Sequence, residues 1–265
     1  MDNRFATETI FIDGSWRQAK SGRTYDVTNP ATEEVIATVA LGGESECREA
    51  IEAAAQALPG WMKCTAWERA VILKQVAQLL RERSDQIART LTLEQGKPLA
   101  ESKGEVLHAA DEFEWFAEEG KRAYGEVVPH AKQGKRHFTL KHPVGVVGAI
   151  VPWNFPIALM ARKIAPALSA GCTVVGKPAS QTPLATAAMF QVFVDAGVPA
   201  GVANLVTGKA EEVAEEFLAN RLCRKISFTG STSVGKELMR RCADQVKRIG
   251  LELGGHAPFI VFPDA

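Results

Sequence analysis

Three residues carry chemistry that their surroundings could use: Asn154, Lys177 and Glu252. Asn154 stands between two aromatics in Pro152-Trp153-Asn154-Phe155-Pro156, where its amide could donate an N–H to a developing oxyanion. The same amide could instead cap the helix that Pro156 is placed to start. Lys177 ends an apolar run, Thr173–Val175, at the end of a strand where open parallel sheets bind ligands. A lysine there is by default solvated. Glu252 lies in Leu251-Glu252-Leu253-Gly254-Gly255, and partial burial would make it a usable general base. An exposed strand-end carboxylate is the commoner case.

Two further segments bear on ligands. In the run from Ile226 to Gly235, a strand leads through Gly230 and Ser231 into a helix whose start has no bulky side chains. Free backbone N–H groups at such a start suit a phosphate. The spacing is not Gly-x-Gly-x-x-Gly, and an ordinary turn capped by Ser231 reads equally well. Arg162 and Lys163 interrupt the apolar helix that begins at Pro156. An arginine can clamp a carboxylate with two parallel hydrogen bonds, although most such residues are surface ones.

The elements that must position these residues follow from periodicity. Ile10–Ile12 and residues 35–41 are extended, with turns at Asp13-Gly14 and Asn29-Pro30. Helical spacing begins at Ser45, and Pro59-Gly60 is expected to close that helix. Further helices are expected at about 67–83, 84–94 and 103–122. The stretch 125–142 breaks the helical period and reads as a hairpin. After Pro143, strands at 144–151, 173–175, 202–206, 225–228, 248–253 and 259–262 alternate with helices at 156–169, 182–196, 210–218 and 233–243. Such alternation of apolar strands and helices predicts an α/β fold with a doubly wound parallel sheet.

Composition removes several function classes. Among 265 residues, Lys plus Arg and Asp plus Glu each total 31, so net charge gives no reason to expect nucleic acid or an anionic membrane as partner. The longest apolar stretch, 144–151, is far short of a membrane span, and no leader-like apolar run opens the chain. A soluble cytoplasmic protein is the expectation. The five cysteines, Cys47, Cys64, Cys172, Cys223 and Cys242, form no Cys-x-x-Cys pair, so neither a metal site nor a disulfide framework is expected.

Each signal is weak singly; their order is not. Pro152 to Pro156, Lys177-Pro178-Ala179-Ser180-Gln181-Thr182-Pro183, Phe228 to Thr232 and Leu251 to Gly255 follow one another as in the aldehyde dehydrogenase superfamily, which the chain resembles over essentially its whole length. Within it, the runs Leu91 to Pro98, Glu114 to Lys121 and Ala257 to Phe262 look most like bacterial succinate-semialdehyde dehydrogenases.

That resemblance implies roles. Asn154 corresponds to the oxyanion-hole amide and Glu252 to the general base that activates water. Lys177 corresponds to the contact with the adenosine ribose, Pro152 and Trp153 border the cofactor, and Gly230, Ser231 and Gly235 border its pyrophosphate. Arg162 matches an arginine that holds the substrate's distal carboxylate. Where NAD-specific members carry Glu, this chain has Ser180, so NADP is expected as the preferred cofactor over NAD. The resemblance further implies a dinucleotide-binding domain over 1–124 and 143–253, an oligomerisation hairpin over 125–142 and the start of a catalytic domain at 254–265. A homo-oligomer acting on a small aldehyde, succinic semialdehyde first, is therefore expected.

Two departures stand out. His256 follows the two glycines where Asn or Lys is expected, and no role for it follows. The family's nucleophilic cysteine, in a Gly-Gln-x-Cys-like run, is absent, and all five cysteines are expected to be structural. The alternative expectation is a truncated, non-catalytic module that binds nucleotide or pairs with related subunits.

Overall fold

A computed structural model describes residues 8–265. The chain opens with a hairpin, β1 (Ile10–Ile12) and β2 (Ser15–Arg17). Asp13 and Gly14 between them both take positive φ, 52° and 77°. That is the two-residue turn whose twist suits flanking strands. A separate pair, β3 (Thr24–Thr28) and β4 (Val35–Ala40), follows.

Four helices come next: α1 (Glu44–Lys63), α2 (Ala66–Glu82), α3 (Ser84–Gln95) and α4 (Leu99–Glu119). A Thr65/Glu68 capping box starts α2, and Gly96 at φ 89° ends α3 in a left-handed turn. Contrary to the sequence expectation, α1 does not stop at Pro59-Gly60. Pro59 forgoes one backbone hydrogen bond, but Trp61 on the next turn is 1% exposed and donates its indole N–H to the Leu168 carbonyl at 3.0 Å. Burial of the indole outweighs one lost bond.

The hairpin expected at 125–142 is present as β5 (Glu126–Val128) paired antiparallel with β6 (His137–Thr139), exposed along both strands. Beyond it the alternation is as expected: β7 (Val146–Ile150), α5 (Pro156–Ser169), β8 (Thr173–Lys177), α6 (Leu184–Asp195), β9 (Ala203–Leu205), α7 (Ala210–Ala219), β10 (Cys223–Gly230), α8 (Thr232–Cys242) and β11 (Arg248–Leu253). Residues 259–262 form no strand. Phe259 is 90% exposed and the segment finds no neighbouring ladder among the described residues, without which apolar alternation alone does not make a strand.

The main sheet has seven strands in the order β11-β10-β7-β8-β9-β1-β2. The first five pair in parallel, and the β1–β2 hairpin adds an antiparallel edge. Two hydrophobic clusters divide between its faces. Val147, Ala149 and Val174 belong to the cluster with α2 to α6, whereas Val146, Val175 and Ile226 belong to the one with α1, α7 and α8. Alternate residues of one strand therefore feed opposite cores, as a doubly wound sheet requires. Gly148 sets the spacing on one face, since a Cβ there would stand 2.9 Å from the Phe217 ring of α7.

Candidate active site at the carboxyl ends of the strands

Register brings the candidate residues together. Ile150 of β7 lies beside both Lys177 of β8 and Phe228 of β10, and Thr229 lies beside Glu252 of β11. All four strands run the same way. The turns after them, carrying Pro152 to Phe155, Lys177 to Ser180, Gly230 with Ser231, and Glu252, therefore share one edge of the sheet.

Asn154 does not cap α5. The cap position is Phe155, with no side-chain hydrogen bond, and the first turn is satisfied from α4 instead. Glu105 Oε1 accepts from the N–H of Ile157 at 2.9 Å and of Ala158 at 3.2 Å. Lys97 Nζ donates to the Asn154 carbonyl at 2.7 Å and to Glu105 Oε2 at 2.6 Å. The Asn154 side chain itself is exposed and has no hydrogen-bond partner among the described residues. The capping reading of this amide is therefore not met. Nothing in the sequence reading singled out Lys97 or Glu105; the signal available was Gln95-Gly96-Lys97-Pro98, a turn between helices with one lysine in it.

Lys177 overturns the default for its residue type. It is 2% exposed and its Nζ donates to the Pro178 carbonyl at 2.5 Å. Burial pushes its pKa down to about 8, partly opposed by the charge of Glu211. Ser180 stands three residues on, its Oγ donating to the Gly208 carbonyl at 3.2 Å. Ser231 caps α8 as the plain reading expected, accepting from Val234 N–H at 3.3 Å. Ser231, Thr232 and Ser233 are exposed, so this helix start still faces outward. Gly235 is buried against β11, where a Cβ would meet Leu253 Cδ2 at 2.5 Å.

Glu252 is exposed, the commoner case for a strand-end carboxylate, because β11 is the edge strand and nothing among the described residues covers it. Arg162 sits six residues along α5 from Pro156, about 9 Å down the helix axis, and so lies apart from the strand-end turns. It pairs with Glu112 Oε1 at 3.1 Å and faces His108 Nε2 at 3.2 Å. With Lys163, Lys225 and Ser227 it lines a cavity of about 270 Å³ on the α5 side of the sheet. Lys163 is not a surface residue as expected: it is 7% exposed, with Nζ 3.4 Å from Ser227 Oγ. Burial lowers its pKa to about 8 against the opposing pull of the Glu252 charge.

Cys47, Cys172, Cys223 and Cys242 are buried and Cys64 is partly so. Burial raises the thiol pKa of Cys47, Cys223 (to about 11) and Cys242, the reverse of what an attacking thiolate needs. No group of three or more metal-ligating side chains occurs among the described residues. Among the described residues no helix is long and apolar enough to cross a membrane. His256 is exposed.

A doubly wound sheet that gathers its candidate residues at the carboxyl ends of parallel strands belongs to the class of α/β folds that bind ligands outside those ends. Within that class the chain belongs to the aldehyde dehydrogenase family, whose model matches residues 16–265. It is 52% identical over 264 residues to the NADP(+) succinate-semialdehyde dehydrogenase GabD of Escherichia coli (strain K12), and 53% identical over 264 residues to a glutarate-semialdehyde dehydrogenase of Pseudomonas putida (strain KT2440). Each match covers 100% of this chain and 55% of the relative. The crystal structure of an NADP-dependent enzyme of E. coli superimposes with a TM-score of 0.95 at 52% identity, over 99% of this chain and 55% of that one. The chain spans about half the length of the curated relatives it matches.

Proposed function

We propose that this chain is the NADP-binding part of an aldehyde dehydrogenase that oxidises a small semialdehyde to a dicarboxylate, with succinic semialdehyde the favoured substrate. The observation that carries the reading is Lys177: a buried lysine in no ion pair among the described residues, at the end of β8, with β7 between it and the strand that leads into the outward-facing start of α8. Burying an ammonium without a counter-charge is costly unless a ligand supplies one. Lys177 and Ser180 would hold the adenosine ribose and its 2′-phosphate, and the α8 start at Gly230, Ser231 and Gly235 would hold the pyrophosphate, bordered by Pro152 and Trp153. Lys177 and the free N–H groups of α8 fit such an anionic ligand. When bound, the nicotinamide supplies a hydride acceptor.

The protein's own part is positioning and charge. Asn154, its amide unspent, donates an N–H to the substrate carbonyl oxygen as negative charge develops there. Glu252 takes a proton from water for the hydrolytic step, once ligand or further protein covers its exposed carboxylate. Arg162, oriented by Glu112, holds the distal carboxylate from the cavity on the α5 side. The nucleophile comes from outside these residues, since the burial of the cysteines argues against all but Cys64, and Cys64 lines a cavity with Pro143 and Arg248, where β7 and β11 begin rather than where they end. The hairpin 125–142, with both strands exposed, would pack on a second copy, making the protein a homo-oligomer. In this reading residues 1–124 and 143–253 are the dinucleotide-binding domain, residues 254–265 begin the catalytic one, and the cytoplasm is its compartment.

A pH titration tests the cofactor side. Binding the 2′-phosphate requires Lys177 as ammonium, and its pKa near 8 means the free protein loses that proton between pH 7 and 9. NADP affinity is expected to fall about tenfold across that range in calorimetric titrations, while NAD affinity stays level. Equal pH dependence of both cofactors would sink the assignment of Lys177. The sign for stability is opposite: the folded pKa lies below the unfolded value of 10.5, so the contribution of Lys177 to stability improves as pH rises from about 8 towards 10.5.

A further inference from the structure

We infer that Lys97 and Glu105 form a positioning pair, which holds the turn 153–155 by its backbone so that its side chains stay free for ligands. This deepens the reading of Asn154 and Trp153 given above and rests on it. The pair is nearly sealed, with side chains 8% and 1% exposed. Each partner also grips the turn or the helix behind it. Lys97 Nζ takes the Asn154 carbonyl and stands 3.9 Å from the centre of the Phe155 ring; Glu105 takes the first two free N–H groups of α5.

Stability alone does not account for the arrangement. A buried ion pair contributes little net stability once desolvation is counted, and a helix start is ordinarily satisfied by a local Ser, Thr, Asp or Asn. Here a good capping residue, Asn154, stands one position before the cap and does not cap. The carboxylate instead arrives from 52 residues away in sequence. With the N–H groups and the carbonyl already satisfied from α4 and the α3–α4 turn, the amide of Asn154 and the indole of Trp153, 53% exposed, have no structural duty. The neighbouring turn shows the same device: Glu94, two residues before Gly96, accepts from Leu184 N–H at 2.7 Å and Ala185 N–H at 2.8 Å at the start of α6. One elbow between α3 and α4 thus fixes the helices that follow both β7 and β8.

The test compares two ligands on the 265-residue chain. NADP spans the crevice, whereas 2′-AMP reaches only the Lys177 and Ser180 end. Lys97→Met keeps the apolar stem and removes the donor. It is expected to weaken NADP about tenfold, to leave 2′-AMP within about twofold, and to lower ¹⁵N order parameters at Trp153, Asn154 and Phe155 but not at Leu184 and Ala185. Because Lys97→Met strands the buried Glu105 charge, the double variant Lys97→Met/Glu105→Gln is measured as well. Its amide oxygen still accepts from α5, so it folds with a near-native melting temperature and shows the same ligand split. Unchanged NADP affinity with an unchanged turn, or parallel weakening of both ligands, would overturn the inference. If the unmodified chain binds neither ligand, the cofactor reading fails, and the order parameters alone decide on the positioning pair.

Discussion

Ser180→Glu is expected to weaken NADP binding about 100-fold, roughly 2.7 kcal/mol, and to leave NAD bound as well as before or better. The hydroxyl of Ser180 lies in the turn after β8, three residues from the buried ammonium of Lys177, and its O–H, which donates to the Gly208 carbonyl at 3.2 Å, would turn to the 2′-phosphate when NADP binds. A carboxylate in its place would face the 2′-phosphate, and like charges brought together at an interface cost several kcal/mol. Toward NAD the same carboxylate can accept from the ribose 2′-hydroxyl. Isothermal titration of both cofactors reads the outcome directly. A parallel loss for NAD and NADP would mean that the substitution had damaged the turn rather than changed its selectivity.

Trp61→Ala should be the most damaging single change outside the crevice, costing about 3–5 kcal/mol in chemical denaturation. The indole is 1% exposed in the cluster with α2 to α6, and its N–H satisfies the Leu168 carbonyl near the end of α5. Truncation leaves both a cavity and a buried carbonyl without its donor. Trp61→Phe separates the two terms: it refills much of the cavity but not the hydrogen bond, so it should cost about 1–3 kcal/mol. A cost below about 1 kcal/mol for the alanine variant would show that the last turn of α1, past Pro59, is not anchored by this side chain.

The pattern of strands and helices after Pro143 was legible because a parallel sheet covered on both faces needs apolar strands at regular intervals, and little else produces that pattern. α5 was expected at 156–169 and is found there. What misled were signals whose meaning depends on partners far along the chain. Pro59-Gly60 is a helix stop unless a tryptophan two residues on has a carbonyl to reach 107 residues away. The apolar run 259–262 is a strand only if another strand lies beside it. Burial was the least legible property. Lys177 and Lys163 read as solvated and are buried, while Glu252 is exposed on an edge strand, the commoner case for a strand-end carboxylate. The Lys97–Glu105 pair was invisible because neither residue belongs to the motif it supports. A helix N-terminus capped from another helix leaves no local trace in the sequence.

The central claim is that the adenosine 2′-phosphate and pyrophosphate of NADP bind at the carboxyl ends of β8 and β10, on either side of β7. A crystal structure of the chain grown with NADP addresses it most directly. The account predicts the 2′-phosphate within hydrogen-bonding distance of Lys177 Nζ and Ser180 Oγ, and the pyrophosphate on the free N–H groups of Thr232 and Ser233 beside Trp153. Dinucleotide bound away from these strand ends, or none at millimolar NADP, would contradict it.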